Sequence, residues 1–345
     1  VVSTFAVDHD AWAKVGYRLD WVSRPFPRGG ARPRLVFSEV RGDALTLQDA
    51  SGTVTLVEAS TGATRWATDV AGPLTRFVGL MRDPASETRV LVFSETEMFT
   101  LEAASGNLSG RDDLDKVVNT LPVVDGDVVM FGTSTGQVYA HRRSTQLGAW
   151  GFGMEGTVEA DPVRLGQGAA FVNQSGEVAV LNASGNLLGR GRIFGGVSTN
   201  PVSDGERVYI AGMDQSLWAF TESGALAWRY RTPVALTVQP TVHEGVVYCE
   251  IPGSGLTAFD AAGGTVAWVA KGVTGRVVGV RSGRLVVWSG EGRGGGELLL
   301  LDRRDGSVVE RLTVPEAREI LVGEFVDGPV YVVTERGALA KFITR

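Results

Sequence analysis

Apolar and polar positions alternate along this chain in short stretches, each broken by Gly, Asp or Ser. Residues 200–230 show the pattern most openly. Asn200-Pro-Val-Ser leads to the turn Asp204-Gly205, then Arg207-Val-Tyr-Ile-Ala-Gly212, Ser216-Leu-Trp-Ala-Phe-Thr221 and Ala225-Leu-Ala-Trp-Arg-Tyr230. Two-residue alternation bounded by turn formers predicts antiparallel strands, four of them here. The next stretch repeats the scheme with Gln239-Pro-Thr-Val, Val246-Val-Tyr-Cys-Glu250, Leu256-Thr-Ala-Phe-Asp260 and Val266-Ala-Trp-Val269. Leu121-Pro-Val-Val and Asp161-Pro-Val-Arg open earlier copies. Pro is tolerated there because the first residue of a strand need not donate to the ladder. No 3.6-residue period runs over a useful length, so no substantial helix is expected.

The copies share a marker, a Gly turn followed by an aromatic: Gly62-Ala-Thr-Arg-Trp66, Gly224-Ala-Leu-Ala-Trp228 and Gly264-Thr-Val-Ala-Trp268. In the same frame Gly106 leads to Gly110, Gln146 to Trp150, Gly185 to Gly189, Gly306 to Glu310 and Tyr17 to Trp21. The markers at 21, 66, 110, 150, 189, 228, 268 and 310 are separated by 45, 44, 40, 39, 39, 40 and 42 residues. A four-stranded unit of this length is the size of a β-propeller blade. After Glu310 only three strands remain, in Ile320-Leu-Val-Gly, Val330-Tyr-Val-Val and Ala338-Leu-Ala-Lys-Phe-Ile343, while the segment around Tyr17 to Val22 carries a marker with no strands before it. Joining the two ends completes a sheet and leaves no wholly open edge between first and last blades. The expectation is an all-β fold, one eight-bladed β-propeller of four-stranded antiparallel blades whose last blade is closed by the N-terminal strand. Its blades fall near 31–70, 74–114, 117–154, 157–195, 196–233, 236–271, 273–314 and 318–345 plus 15–22.

Trp21, Trp66, Trp150, Trp228 and Trp268 recur once per unit, which places them on different blades. A ligand-stacking cluster is therefore disfavoured, and each indole is expected to fill the seam with its neighbour. Units with Gly110, Gly189 or Glu310 at the marker are expected to have weaker seams.

The elements Pro-Val-x-Asp-Gly, Val-Tyr, Leu-x-Ala-Phe-Asp and Gly-x-x-x-Trp, as in Pro201 to Trp228 and again in Gly255 to Trp268, resemble the PQQ-like propeller repeat. Within that superfamily the chain looks most like the BamB family, the propeller subunit of the machinery that assembles outer-membrane β-barrels. The resemblance implies a periplasmic, non-catalytic scaffold with protein partners, among them an outer-membrane β-barrel assembly component. Such family members are lipoproteins, whereas this sequence starts at Val1 without the lipid-bearing Cys, so anchoring is expected upstream if at all. The same superfamily contains PQQ-dependent alcohol dehydrogenases, which hold the quinone with a Trp, a disulfide between adjacent cysteines and Ca²⁺. A single cysteine, Cys249, cannot supply that disulfide.

The residues add no catalytic, cofactor or metal site. His9, His141 and His243 are far apart in sequence and expected at the surface or in turns. The pairs Asp125-Gly126, Asp204-Gly205, Asp305-Gly306 and Asp327-Gly328 read as hairpin turns, and one such pair offers too few oxygens for Ca²⁺. Gly290-Glu-Gly-Arg-Gly-Gly-Gly296 matches G-x-G-x-x-G, but a strand follows where a dinucleotide site needs a helix. It is expected to be a hairpin loop of the seventh blade. Pro315-Glu-Ala-Arg-Glu319 reads as one helical turn, and Arg111-Asp-Asp-Leu-Asp115 as a second short excursion.

Composition agrees with a packed repeat protein: of 345 residues 43% are hydrophobic and 21% charged, so the chain can bury a large core. The net charge of −6, spread along the length, offers no basic face for nucleic acid, and no apolar run is long enough to cross a membrane as a helix. One connector, Arg24-Pro-Phe-Pro-Arg-Gly-Gly-Ala-Arg-Pro-Arg34, is basic without an acid, so Arg24, Arg28, Arg32 and Arg34 are the tentative partner-binding loop, with a solvated loop as the alternative. The functional expectation is a binding scaffold of the bacterial cell envelope. The alternatives are a cofactor-binding relative of the PQQ oxidoreductases and the extracytoplasmic sensor domain of a larger protein.

Overall fold

Middle strands of each repeat are apolar on both sides, and the structure shows why. In the computed structural model, which describes residues 5–26, 35–72, 74–290, 295–334 and 337–345, the strand Val128–Gly132 is buried at every position, as are Gly168–Val172, Glu177–Leu181 and Val330–Thr334. A strand buried on both faces lies between two other sheets. Outer strands are instead mostly exposed or half-buried, as in Leu226–Arg231, where only Trp228 is buried.

Among the described residues the strands form eight four-stranded antiparallel sheets. The sheets span 35–69, 77–113, 123–153, 163–192, 202–231, 241–271 and 276–314, and the eighth joins 317–344 to the N-terminal strand β1 (Tyr17–Ser23). β1 pairs antiparallel with Leu339–Thr344, from Tyr17 opposite Thr344 to Ser23 opposite Leu339. The fold is thus an eight-bladed β-propeller whose ring is closed by the N-terminal strand. We letter the strands of each blade A to D from the axis outward. A–B and C–D turns then share one face of the disc, here the turn face, and B–C and D–A connections share the other, the loop face.

Apolar packing is organised by seam. Eight clusters each combine residues of two adjacent blades, for example Val54, Leu56 and Trp66 of blade 1 with Val90, Val92 and Phe99 of blade 2. Blades 8 and 1 share another, built on Leu45, Leu47, Tyr331 and Val333. Each blade buries its two faces only against its neighbours, as in other repeat arrays, but here the array closes on itself.

Two details depart from the sequence reading. Residues 317–319 are not helical: a turn at 315–316 is followed by the strand Ala317–Val322, where Ala317 and Ile320 are buried and the backbone pairs with Val330–Thr334. Five residues cannot nucleate a helix against that ladder. Arg111, Asp112 and Asp113 likewise belong to the D strand Leu108–Asp113, with Asp112 buried against blade 3. Conversely, a six-residue helix, α1 (His9–Lys14), precedes β1; Asp8 caps it by accepting from Ala11 N at 3.0 Å. Trp12 of α1 stacks on Phe342 with ring centroids 3.5 Å apart.

Candidate binding surfaces

The five marker indoles make the same contact at five seams. Trp66 Nε1 donates to Ala103 O at 2.9 Å, and Trp21, Trp150, Trp228 and Trp268 donate to Ala59, Ala183, Ala261 and Arg303 carbonyls at 3.1, 2.9, 2.9 and 2.9 Å. Every acceptor lies in the C–D turn of the following blade. Beside it stands the turn glycine of that blade, Gly62, Gly106, Gly185, Gly264 or Gly306, and a Cβ on any of them would come within 3.0 Å of the indole. The marker Gly and the marker Trp of consecutive repeats are therefore the two halves of one joint.

Seams without the indole are filled by other groups. Between blades 4 and 5 the backbone of the next turn moves in, so that a Cβ on Gly189 would lie 2.2 Å from Glu222 O. Between blades 7 and 8 Trp12 supplies the ring from outside the repeat. Between blades 2 and 3 the joint is polar. Asp112 accepts from Gln146 Nε2 at 2.6 Å and lies 3.4 Å from His141 Nε2, whose Nδ1 is 3.3 Å from the Tyr139 hydroxyl. Arg143 reaches back to Asp83 with contacts of 3.1 and 2.5 Å.

His141 is fully buried in this network, which corrects the surface position expected for it. It takes the inward side of a C strand at a seam with no indole, where hydrogen-bonding partners make a buried imidazole tolerable. His9 is exposed, and His243 is half-buried against Phe325. Gly290 lies between the antiparallel strands Arg284–Trp288 and Gly296–Asp302 of blade 7 and Gly296 opens the second of them, with 291–294 outside the described residues.

Of the basic connector, Arg24 is exposed where the chain leaves β1 on the loop face, and Phe26 leans on the seam of blades 8 and 1. Arg28, Arg32 and Arg34 lie outside the described residues.

A more definite surface lies elsewhere on the loop face. Phe194, in the link from blade 4 to blade 5, is 72% exposed although its ring is held in place. It meets Trp218 edge-on at 5.4 Å, and the Arg229 guanidinium sits 4.2 Å from the Trp218 ring and 5.0 Å from that of Phe194. Asp214 organises the group, accepting from Phe194 N at 3.0 Å and from Trp218 Nε1 at 3.1 Å. Met213 and Val234, both exposed, flank it: Met213 N donates to Gly196 O, and Leu236 N to Gly212 O, tying the three loops together. Sequence reading passed over this site because Trp218 is off the marker register and Phe194 is a lone aromatic in a Gly-rich link. The unexpected second indole of one repeat was the available signal.

The inner strands enclose a cavity of about 640 Å³ on the axis, lined by blades 1, 4, 5, 6, 7 and 8. Its walls are mostly Val, Ile, Ser and Thr, with Arg276, Glu319 and Phe325. PQQ is a planar polyanion that needs stacking faces and several cations, so this lining does not fit it. Nor does Cys249, which is buried on the strand Val246–Ile251 with its thiol pushed up to about 12 by desolvation. Among the described residues no three His, Cys, Asp or Glu converge as a metal site.

The family described as outer membrane protein assembly factor BamB matches residues 32–152 and 174–342. The chain belongs to the BamB family of PQQ-like propellers. A BamB from Bordetella pertussis is 28% identical over 153 residues, a stretch covering 43% of this chain and 40% of that protein. The crystal structure of BamB from Moraxella catarrhalis superposes with a TM-score of 0.72 over 95% of this chain and 98% of that one, at 14% identity. A computationally designed protein, Ika8, superposes with a TM-score of 0.73 over 90% and 96% of the two chains at 12% identity. At these identities the structural likeness is one of fold, and a designed propeller matching as well as a BamB makes plain that fold alone assigns no function. No helix among the described residues is long and apolar enough to cross a membrane.

Proposed function

We propose that this protein is a non-catalytic binding scaffold of the bacterial cell envelope that assists outer-membrane protein assembly through protein–protein contacts. Family membership supports an assembly-factor role in general terms. The observation that carries the scaffold reading is the Phe194 cluster: a large aromatic, mostly exposed yet fixed by Trp218, Arg229 and Asp214, with Met213 and Val234 beside it. Pre-fixed aromatic and Arg side chains are what interface anchors require, because little rotamer freedom is lost on docking. Exposed apolar loop residues also favour this face: Leu74, Val117, Phe194, Met213 and Val234 lie in its connections, against Val326 in those of the turn face. Arg24 opens a connection on the same face and extends the reading.

The test is affinity capture from envelope extracts, with quantification of β-barrel assembly components. Wild-type protein is expected to retain such a component, and Phe194→Asp to lose it at least about tenfold, the scale of one interface anchor. Equal recovery by a folded Phe194→Asp would remove this face from the interaction. Recovery of no assembly component by the wild type would remove the function.

A further inference from the structure

The inner strand of each blade is paired within its sheet on one side only, so strand edges ring the axis. One of them is occupied. The A–B connection of blade 8 runs over 323–329, whereas blades 1, 3, 4, 6 and 7 turn in two residues, and it lies against the inner edge of blade 7. Val280 N donates to Phe325 O at 2.6 Å, Asp327 N donates to Val280 O at 2.8 Å, and Val326 bridges Val280 in parallel. The Phe325 ring lies 4.5 Å from that of His243 on blade 6 and lines the axial cavity. The far end is fastened outside the cavity, where Asp327 accepts from Arg281 Nη1 and Ser282 N, each at 2.8 Å.

This connection is a tight turn, with Asp327 at φ +51 and a single bridged residue, Val326, but it uses the two contacts by which strand edges take peptides: main-chain bonds to the edge and one aromatic side chain against a wall. Beyond Phe325 the cavity continues between Val202, Val242, Val278 and Ile320. The geometry points to a peptide site in the channel. An extended, mainly apolar segment of a partner adds in parallel to the inner edge of blade 7, displacing residues 325–327, which otherwise hold that edge. As a tethered occupant the connection competes at high effective concentration, so the free edge is exposed only to a segment that also fills the cavity. The site is separate from the Phe194 surface and does not depend on it.

The probe is a fluorescein-labelled peptide, Gly-Glu-Phe-Val-Asp-Gly, copying residues 323–328 and titrated by anisotropy against the full chain. Phe325→Ala, which empties the aromatic seat of the resident loop, is expected to bind it at least about tenfold more tightly than the wild type does. N-methylation of the peptide's Asp amide removes the donor to Val280 O and is expected to abolish binding. Adding Val242→Trp, which fills the channel, is expected to do the same. A folded Phe325→Ala that binds no peptide, or binding indifferent to both N-methylation and Val242→Trp, would overturn the proposal. If Phe325→Ala does not fold, Asp327→Ala, which unfastens only the far end, gives the same comparison, and binding no tighter than wild type then overturns it.

Discussion

The indole of Trp228 occupies the space where a side chain on Gly264 would stand: a Cβ there would lie 2.5 Å from Trp228 Cδ2. Gly264 also sits at φ +70, a left-handed conformation that a Cβ disfavours. Both features come from one joint, so the two positions should be energetically coupled. Trp228→Ala removes an 8% exposed indole and its bond to Ala261 O, and is expected to cost about 3–5 kcal/mol by denaturant unfolding. Gly264→Ala should cost roughly 1–2 kcal/mol for backbone conformation and about 1–3 kcal/mol for overpacking. In the double variant the overpacking part should vanish. Additive costs would contradict the joint.

The polar seam between blades 2 and 3 behaves oppositely on truncation. The Asp83 carboxylate is wholly buried and Arg143 is 14% exposed, so Arg143→Met leaves a buried charge unpaired. That variant is expected to lose about 3–5 kcal/mol. Adding Asp83→Asn should restore much of the loss, which a melt series of the three variants would measure.

Glu39, on the inner strand of blade 1, is held above its ordinary value of 4.5 by desolvation, against the bond from Arg82 N and the charges of Arg41 and Arg82. For an acid shifted upward, stability is fully present below the unfolded value and is lost as pH rises through the folded one. Glu39→Gln keeps an acceptor for Arg82 N but cannot ionise. Its Tm relative to wild type should therefore be more favourable at about pH 7 than at about pH 4. A difference independent of pH would mean that Glu39 is not the titrating group.

Trp12 closes the last seam from outside the repeat and is 2% exposed. Trp12→Ala is expected to speed amide exchange in Tyr17–Ser23 and Leu339–Thr344 while the strands of blades 3 to 5 keep their protection, since openings follow cooperative units. Uniform loss across all blades would argue against a local role for α1.

Blade number and ring closure could be read from the chain because their signals are local: a turn Gly, a Trp four residues on, or both mark each frame, and the missing strand at one end matches the surplus strand at the other. The Trp228–Gly264 joint was half legible. Both residues stood out, yet nothing in a single repeat says that the Gly of one unit receives the Trp of the unit before. His141, Asp112 and the Asp83–Arg143 pair were not legible, because each partner is supplied by the neighbouring blade and only the register across a seam brings them together. Phe194 was missed for a related reason. Its neighbours Trp218 and Arg229 come from two strands of the following blade, and exposure is not a property of sequence.

The pairing of Tyr17 with Thr344 also orders events in time. During synthesis β1 emerges early and must remain unmated until more than three hundred further residues have been made. Arg281, which donates to both Gly16 O and Arg345 O, can clasp the two ends only at that last moment. Seven wedges can stack as they appear, but the circle is sealed in a single late step, and until then an apolar strand waits with its edge uncovered.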